Sequence, residues 1–165
     1  MASDALAGID RLGRILEARG QTFRLIAVGV LVPAERLLPA ELRSAAALVA
    51  HDLELRDDWL NSVVAAQWES AGLPPGMASR VEWREFGGLS LGLAGRLDLI
   101  ALKLYAFVDR WVDRETPNKH GADLRALAPT DDEWAFALEW VLSQDGTPTW
   151  ATDVKEALHD VRHRG

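Results

Sequence analysis

This 165-residue sequence contains no cysteine, so the chemistry that it could perform depends on other side chains, chiefly a few charged ones. That absence excludes disulfides, thiolate metal sites and thiol nucleophiles together. Lys103 lies within an otherwise apolar helical segment, and Asp123 follows in the next one. His159 and His163 stand four residues apart, a spacing that can chelate a metal ion. With no obvious third ligand, a charged helix end is the favoured interpretation.

Two arrangements of carboxylates imitate a metal-binding pair, and both have a simpler interpretation. Asp52 and Glu54 are two residues apart, but a helix directs residues at that spacing to different sides. Gly87-Gly88 is followed by Arg96 and Asp98. This order is better explained by a hairpin turn and a helix N-cap. No P-loop, dinucleotide glycine motif or Ser–His–Asp elbow is present.

Composition excludes several kinds of partner. The formal net charge is -7 and the pI is about 5.1, so a broad basic face for duplex DNA is not expected. The apolar stretches are too short or too interrupted to span a bilayer, and no signal peptide follows Met1. The expected location is therefore the cytoplasm, without a membrane partner.

The elements that position these side chains are predicted from apolar periodicity. Residues 22–32 are nearly continuously apolar and predict one buried strand, and residues 80–86 and 89–93 predict a hairpin. Helices are predicted over 3–19, 39–53, 96–112, 120–128 and 153–163, with another after the capping box Thr130-Asp131-Asp132-Glu133. The expected fold is α+β with a small mixed sheet. Residues 1–94 would form the α/β core and 95–165 the helical C-terminal part of the same domain.

Two stretches carry a resemblance to a known family. The first runs from Leu38 to Asn61, where Pro39-Ala40-Glu41-Leu42 leads to Asp58-Trp59-Leu60-Asn61. The second begins with Asp98-Leu99-Ile100-Ala101-Leu102-Lys103 and continues through Asp109-Arg110 and Lys119-His120 to Ala122-Asp123-Leu124-Arg125-Ala126-Leu127. Together they resemble the nucleotidyltransferase-like domains grouped with AbiEii-type toxins of bacterial toxin–antitoxin and phage-defence systems. The resemblance implies a sheet of the nucleotidyltransferase type.

The resemblance also implies a nucleotide-binding set. In that family a lysine matching Lys103 faces the nucleotide phosphates, and an aspartate matching Asp123 helps to order it. Arg110, Lys119 and the glycine of the first strand, Gly29, complete the set. For Lys103 and Asp123 the alternative is a structural pair, and for Arg110 and Lys119 it is a solvated loop. His120 has the chemistry of an acid or base, although a histidine with neither role is the commoner case.

The resembled family has a metal-binding segment that is missing here. There the first strand runs into a glycine pair and then an Arg-x-Thr-x-Asp-x-Asp segment, whose aspartates bind Mg²⁺ and the nucleoside triphosphate. In-line attack on the α-phosphate needs such metal ions to neutralise charge and align oxygens. This chain passes from Gly29 directly into Val30-Leu31-Val32-Pro33, and it contains no Asp-x-Asp. No metal ligand is therefore assigned, and Mg²⁺ and a nucleoside triphosphate are expected only if the chain is active.

Three hypotheses follow. The first is a degenerate nucleotidyltransferase-like protein, inactive or weakly active, that retains nucleotide or partner binding. The second is an active toxin that transfers a nucleotide to RNA or protein. The third is a non-enzymatic interaction or regulatory protein. An antitoxin-like protein is a candidate partner. Loss of a strand and helix should also expose apolar surface and a sheet edge, which predicts a homodimer or poor solubility.

Overall fold

A computed structural model describes residues 2–27, 31–33, 38–56, 59–60, 72–111 and 118–163. These residues contain seven helices and four strands. The helices are α1 (Ala2–Ala18), α2 (Ala40–Asp52), α3 (Met77–Arg80), α4 (Arg96–Asp109), α5 (Lys119–Leu127), α6 (Asp131–Leu142) and α7 (Pro148–His163). The strands are β1 (Phe23–Ala27), β2 (Leu31–Pro33), β3 (Glu82–Phe86) and β4 (Leu89–Leu93). Within the described residues, no helix is long and apolar enough to cross a membrane.

The predicted α+β class with a helical C-terminal half is confirmed. The chain divides into two compact units. The sheet unit is Met1–Leu73 with Ala78–Ala94, and the helical unit is Pro74–Met77 with Gly95–Gly165. All described strands belong to the sheet unit, and α4 to α7 belong to the helical unit. That residues 95–165 are part of the same domain as 1–94 stays a prediction.

The sheet is mixed, with strand order β2-β1-β4-β3. Strands β1 and β4 are parallel, with Leu25 opposite Leu91, whereas β2 and β3 pair antiparallel with their neighbours. The predicted single strand over 22–32 is therefore wrong, because the chain reverses and Ile26 of β1 faces Val32 of β2. An unbroken apolar run does not distinguish one buried strand from two paired ones. Residues 28–30, including Gly29, lie outside the described part.

Helix α1 packs against β3 and β4 and brings an apolar face to the core of the sheet unit. The helical spacing of Leu12 and Leu16 places both against fully buried residues such as Leu25 and Leu42. The approach to the turn after β3 is unusually close. Gly88 donates a backbone hydrogen bond of 2.9 Å to the carbonyl of Gly13 within α1.

Helix α4 is the central element of the helical unit and contacts α5, α6 and α7. Its apolar residues Ile100 and Leu104 are fully buried. The predicted capping box of α6 is confirmed. The Thr130 hydroxyl accepts from the Glu133 amide at 3.3 Å, and the Glu133 carboxylate accepts from the Thr130 amide at 2.9 Å. Arg96 at the start of α4 donates to the same carboxylate at 2.7 Å.

The last helix starts earlier than predicted. The sequence predicted a beginning at residue 153, but α7 begins at Pro148. The Thr147 hydroxyl accepts from the amide of Trp150 at 3.3 Å. Proline suits the first turn of a helix because its missing N–H would have no partner there. The indole of Trp150 donates to the Val141 carbonyl at 2.8 Å and so ties α7 to α6.

Candidate functional site

Lys103 and Asp123 form an ion pair between α4 and α5. The Lys103 ammonium donates to a carboxylate oxygen of Asp123. The lysine is the more enclosed partner, because 14% of its side chain is exposed against 43% for the aspartate. A lysine held in this way presents a fixed positive charge, and the open side of the aspartate leaves the pair accessible from solvent.

The packing of α5 against α4 sets this pair in register. Gly121 faces the ring of Phe107, and a methyl group at residue 121 would lie 2.7 Å from a ring carbon. Glycine therefore allows α4 and α5 to approach more closely than alanine would. Asn118 adds a second link, since its amide nitrogen donates to the Phe107 carbonyl at 3.3 Å. Its side-chain oxygen accepts from the amide of His120 at 3.0 Å and caps the start of α5.

His120 lies half-buried among the predicted site residues. Its Nδ1 is buried and has no hydrogen-bond partner within the described part of the chain. The pKa of His120 is lowered to about 4, chiefly by burial and additionally by the positive charges of Lys103, Arg110 and Lys119. Asp123 acts in the opposite direction. The imidazole is therefore neutral at pH 7, because burial and the nearby positive charges both disfavour its protonated form.

Four of the five predicted nucleotide-binding residues lie close enough to this histidine to act on its charge. They are Lys103, Arg110, Lys119 and Asp123. The fifth, Gly29, lies outside the described residues. Sequence reasoning assigned His120 no part in binding, although its position held a signal. It precedes Asp123 by one helical turn, and residues three apart share a helix face.

We call Lys103, Arg110, Lys119, His120 and Asp123 the His120 cluster. At pH 7 it combines three cations, one carboxylate and one neutral imidazole. Ammonium and guanidinium groups donate charge-assisted hydrogen bonds to phosphate and carboxylate oxygens. The arrangement therefore suits an anion, and its surplus of positive charge contrasts with the net charge of -7 of the whole chain.

The carboxylates that imitate a metal pair do not form one. Asp52 ends α2 and accepts from Arg11 at 3.1 Å. Glu54 follows in a turn with a φ of 51°. Asp98 is fully buried in the first turn of α4, three residues after the N-cap Gly95, so the proposed N-cap role is wrong in detail. An acidic residue there still complements the positive end of the helix dipole.

The His159–His163 pair lies on the last turns of α7. The two rings stack with centroids 4.3 Å apart, and Nδ1 of His163 lies 2.9 Å from the carbonyl of His159. Among the described residues, no three His, Asp or Glu side chains converge as ligands for a metal ion. Mg²⁺ prefers several hard oxygen ligands, and the described residues bring no such set together.

No protein-family model, curated protein or solved structure matches this chain. Any functional assignment therefore depends on the His120 cluster and on the residue patterns of α4 and α5.

Proposed function

We propose that this chain is a degenerate nucleotidyltransferase-like protein of a bacterial toxin–antitoxin or defence lineage that binds a nucleotide through its phosphates. The observation that supports the proposal is the Lys103–Asp123 ion pair. Both residues come from the stretch whose sequence resembles the AbiEii-type domains. Arg110 and Lys119 add positive charge beside the pair, as a phosphate chain requires.

Loss of catalysis is proposed from the sequence. The chain has no Asp-x-Asp with which to hold Mg²⁺ at an α-phosphate. Without metal ions to neutralise the developing charge and align the two oxygens, nucleotide transfer loses its main source of stabilisation. Phosphate binding does not require such metal ions, because cationic side chains alone can bind a phosphate. The cationic side chains and the absence of an Asp-x-Asp are together consistent with a protein that binds a nucleotide but does not transfer it.

Nucleotide binding is tested by calorimetry with ATP and GTP on the purified chain. We expect binding in the micromolar to millimolar range that is lost in Lys103→Ala. Lys155→Ala is the matched control, because Lys155 is an exposed lysine on α7 and lies outside the His120 cluster. Equal affinity in all three proteins would refute a nucleotide site at Lys103.

Catalysis is tested by incubating the protein with labelled nucleoside triphosphates, Mg²⁺ and bulk tRNA. A degenerate protein transfers no label to RNA or to protein. Transfer that is lost in Lys103→Ala would establish the active toxin instead, with Mg²⁺ and the triphosphate as its cofactor and substrate.

A non-enzymatic interaction protein is the second candidate, and exposed apolar residues of the sheet unit favour it. Leu6 on α1 is 58% exposed and Leu48 on α2 is 46% exposed. A contiguous patch of such side chains would suit a protein partner, such as a second copy of this chain or an antitoxin-like partner. Light scattering after size-exclusion chromatography tests the homodimer. A dimer that Leu48→Ser dissociates supports this role, and a monodisperse monomer counts against it.

A further inference from the structure

His120 is a polar side chain that has no role in the proposed nucleotide site. Its Nδ1 is buried with no hydrogen-bond partner among the described residues, which is an unusual state for a polar atom in a protein interior. The groups that act on it come from both helices packed here. Lys103 belongs to α4 and Arg110 follows its end, whereas Lys119 and Asp123 belong to α5.

These neighbours make protonation of the imidazole unfavourable in the absence of a ligand. Burial removes the hydration that an imidazolium needs, three positive charges oppose a fourth, and one carboxylate favours it. The pKa of about 4 expresses that balance. A doubly negative ligand among the cations would cancel much of this repulsion and so raise the pKa of His120.

We propose that the His120 cluster binds a doubly charged phosphate group, such as the terminal phosphate of a nucleotide, and that His120 takes up a proton when this group binds. The inference rests on the proposed function and adds to it the charge of the ligand and a coupling to pH. A terminal phosphate offers two negative charges, whereas a phosphodiester offers one. The cluster should therefore prefer a chain end to the interior of a nucleic acid.

Coupling follows from thermodynamic reciprocity. If the anion raises the proton affinity of His120, then a proton on His120 must raise the affinity for the anion by the same factor. Histidine suits this role because its unperturbed pKa lies close to neutrality, whereas lysine and arginine are charged throughout.

The experiment uses inorganic sulfate, which remains doubly charged from pH 5 to pH 8 and binds no proton of its own in that range. Calorimetry in buffers of different ionisation enthalpy measures proton uptake on binding. We expect uptake of nearly one proton at pH 5.5 and roughly twentyfold tighter binding at pH 5 than at pH 7, if binding restores the ordinary histidine pKa. Dimethyl phosphate, a single anion, should bind more weakly at both pH values.

Two variants localise the effect. His120→Gln should lose both the proton uptake and the pH dependence of sulfate binding. His51→Gln is the matched control, because His51 lies on α2 with 90% of its side chain exposed. NMR of the unmodified protein gives an independent measure, since sulfate should raise the pKa of the His120 ring by more than one unit and leave His51 unchanged.

The outcomes separate this inference from the proposed function. Sulfate binding that depends on Lys103 but shows no proton uptake overturns the coupling and leaves the nucleotide site in place. Sulfate that binds Lys103→Ala protein as tightly as the parent lies elsewhere and also overturns the inference. Loss of ATP binding in Lys103→Ala remains the separate test of the nucleotide site, whatever sulfate does.

Discussion

Lys103 and Asp123 are 20 residues apart in sequence and form an ion pair in which the cation is the more buried partner. The asymmetry matters because a charge costs more when it loses its partner inside a protein than when water can replace that partner. Removal of Asp123 and removal of Lys103 should therefore lower the free energy of unfolding by different amounts. The asymmetry also supports the first of four predictions.

Asp123→Asn should destabilise the protein more than Lys103→Met. The first substitution leaves an ammonium with 14% exposure beside a neutral amide, at a cost of about 1–3 kcal/mol. The second leaves a carboxylate that is 43% exposed and can be hydrated, so the loss should stay below about 1 kcal/mol. Urea unfolding measures both.

Asp10→Asn is the control for that comparison, because Asp10 pairs with Arg14 on the surface of α1. Removal of this exposed pair should change the free energy of unfolding by less than about 0.5 kcal/mol. Equal losses in Asp123→Asn and Lys103→Met would contradict the buried position of the lysine.

Stability should fall as the pH drops through the range in which His120 resists protonation. The unfolded chain binds a proton below the ordinary pKa of 6.5, whereas the folded chain does so only near 4. Because the unfolded state then holds more protons, the free energy of unfolding decreases from pH 6.5 to pH 4. Solvent screening of a half-buried ring reduces the expected loss to about 1–2 kcal/mol.

Urea titrations at several pH values measure this loss in the parent protein and in His120→Gln. The variant should show a shallower decline across the same range, and His51→Gln should match the parent because His51 is exposed. If His120→Gln keeps the full slope, other groups govern the acid sensitivity and the burial of His120 contributes little.

Gly13→Ala should unfold the sheet unit. A methyl group at residue 13 would lie 1.6 Å from the carbonyl oxygen of Phe86, so α1 would have to move away from the turn after β3. A clash with backbone cannot be relieved by a rotamer change, and the loss should exceed about 3 kcal/mol. Tryptophan fluorescence during urea unfolding records it.

Gly146→Ala provides the comparison, because a methyl group there meets no atom within 4 Å. It should change stability by less than about 0.5 kcal/mol. A soluble Gly13→Ala protein with parental stability would mean that α1 does not approach Phe86 as closely as described.

Thr130→Ala should cost about 1 kcal/mol of stability, the usual value for removing a helix N-cap. The hydroxyl satisfies the Glu133 amide at the start of α6, which otherwise has no partner in the first turn. Thr130→Ser keeps the hydroxyl and should retain most of the stability. Thermal unfolding of the pair distinguishes the cap from the loss of a methyl group.

Sequence patterns predicted those parts of the fold that local chemistry determines. The capping box at Thr130 and the hairpin turn at Gly87-Gly88 were both predicted correctly. Each depends on residues within a few positions of one another. The α+β class also followed, because period-two and helical patterns occupy different parts of the chain.

Features that depend on distant contacts were not predictable in this way. The run over 22–32 contains two strands because β1 pairs with β4 and β2 adds to its other edge, which no local pattern reveals. The resemblance implied the pairing of Lys103 with Asp123, and the structure brings the two together. The environment of His120 was missed, because burial and the field of three cations arise only after α4 and α5 have packed.

The parallel pairing of β1 with β4 has a consequence for synthesis of the chain. Residues 23–27 pair with the nearby β2 along one edge, but along the other edge their partners are residues 89–93. Strands β3 and β4, by contrast, are joined by a two-residue turn. Loop-closure entropy must be overcome before such a distant contact stabilises anything. On the ribosome, this second edge of β1 therefore stays unpaired until β4 has emerged. An unpaired strand edge is prone to aggregation during that interval, and a chaperone would protect it.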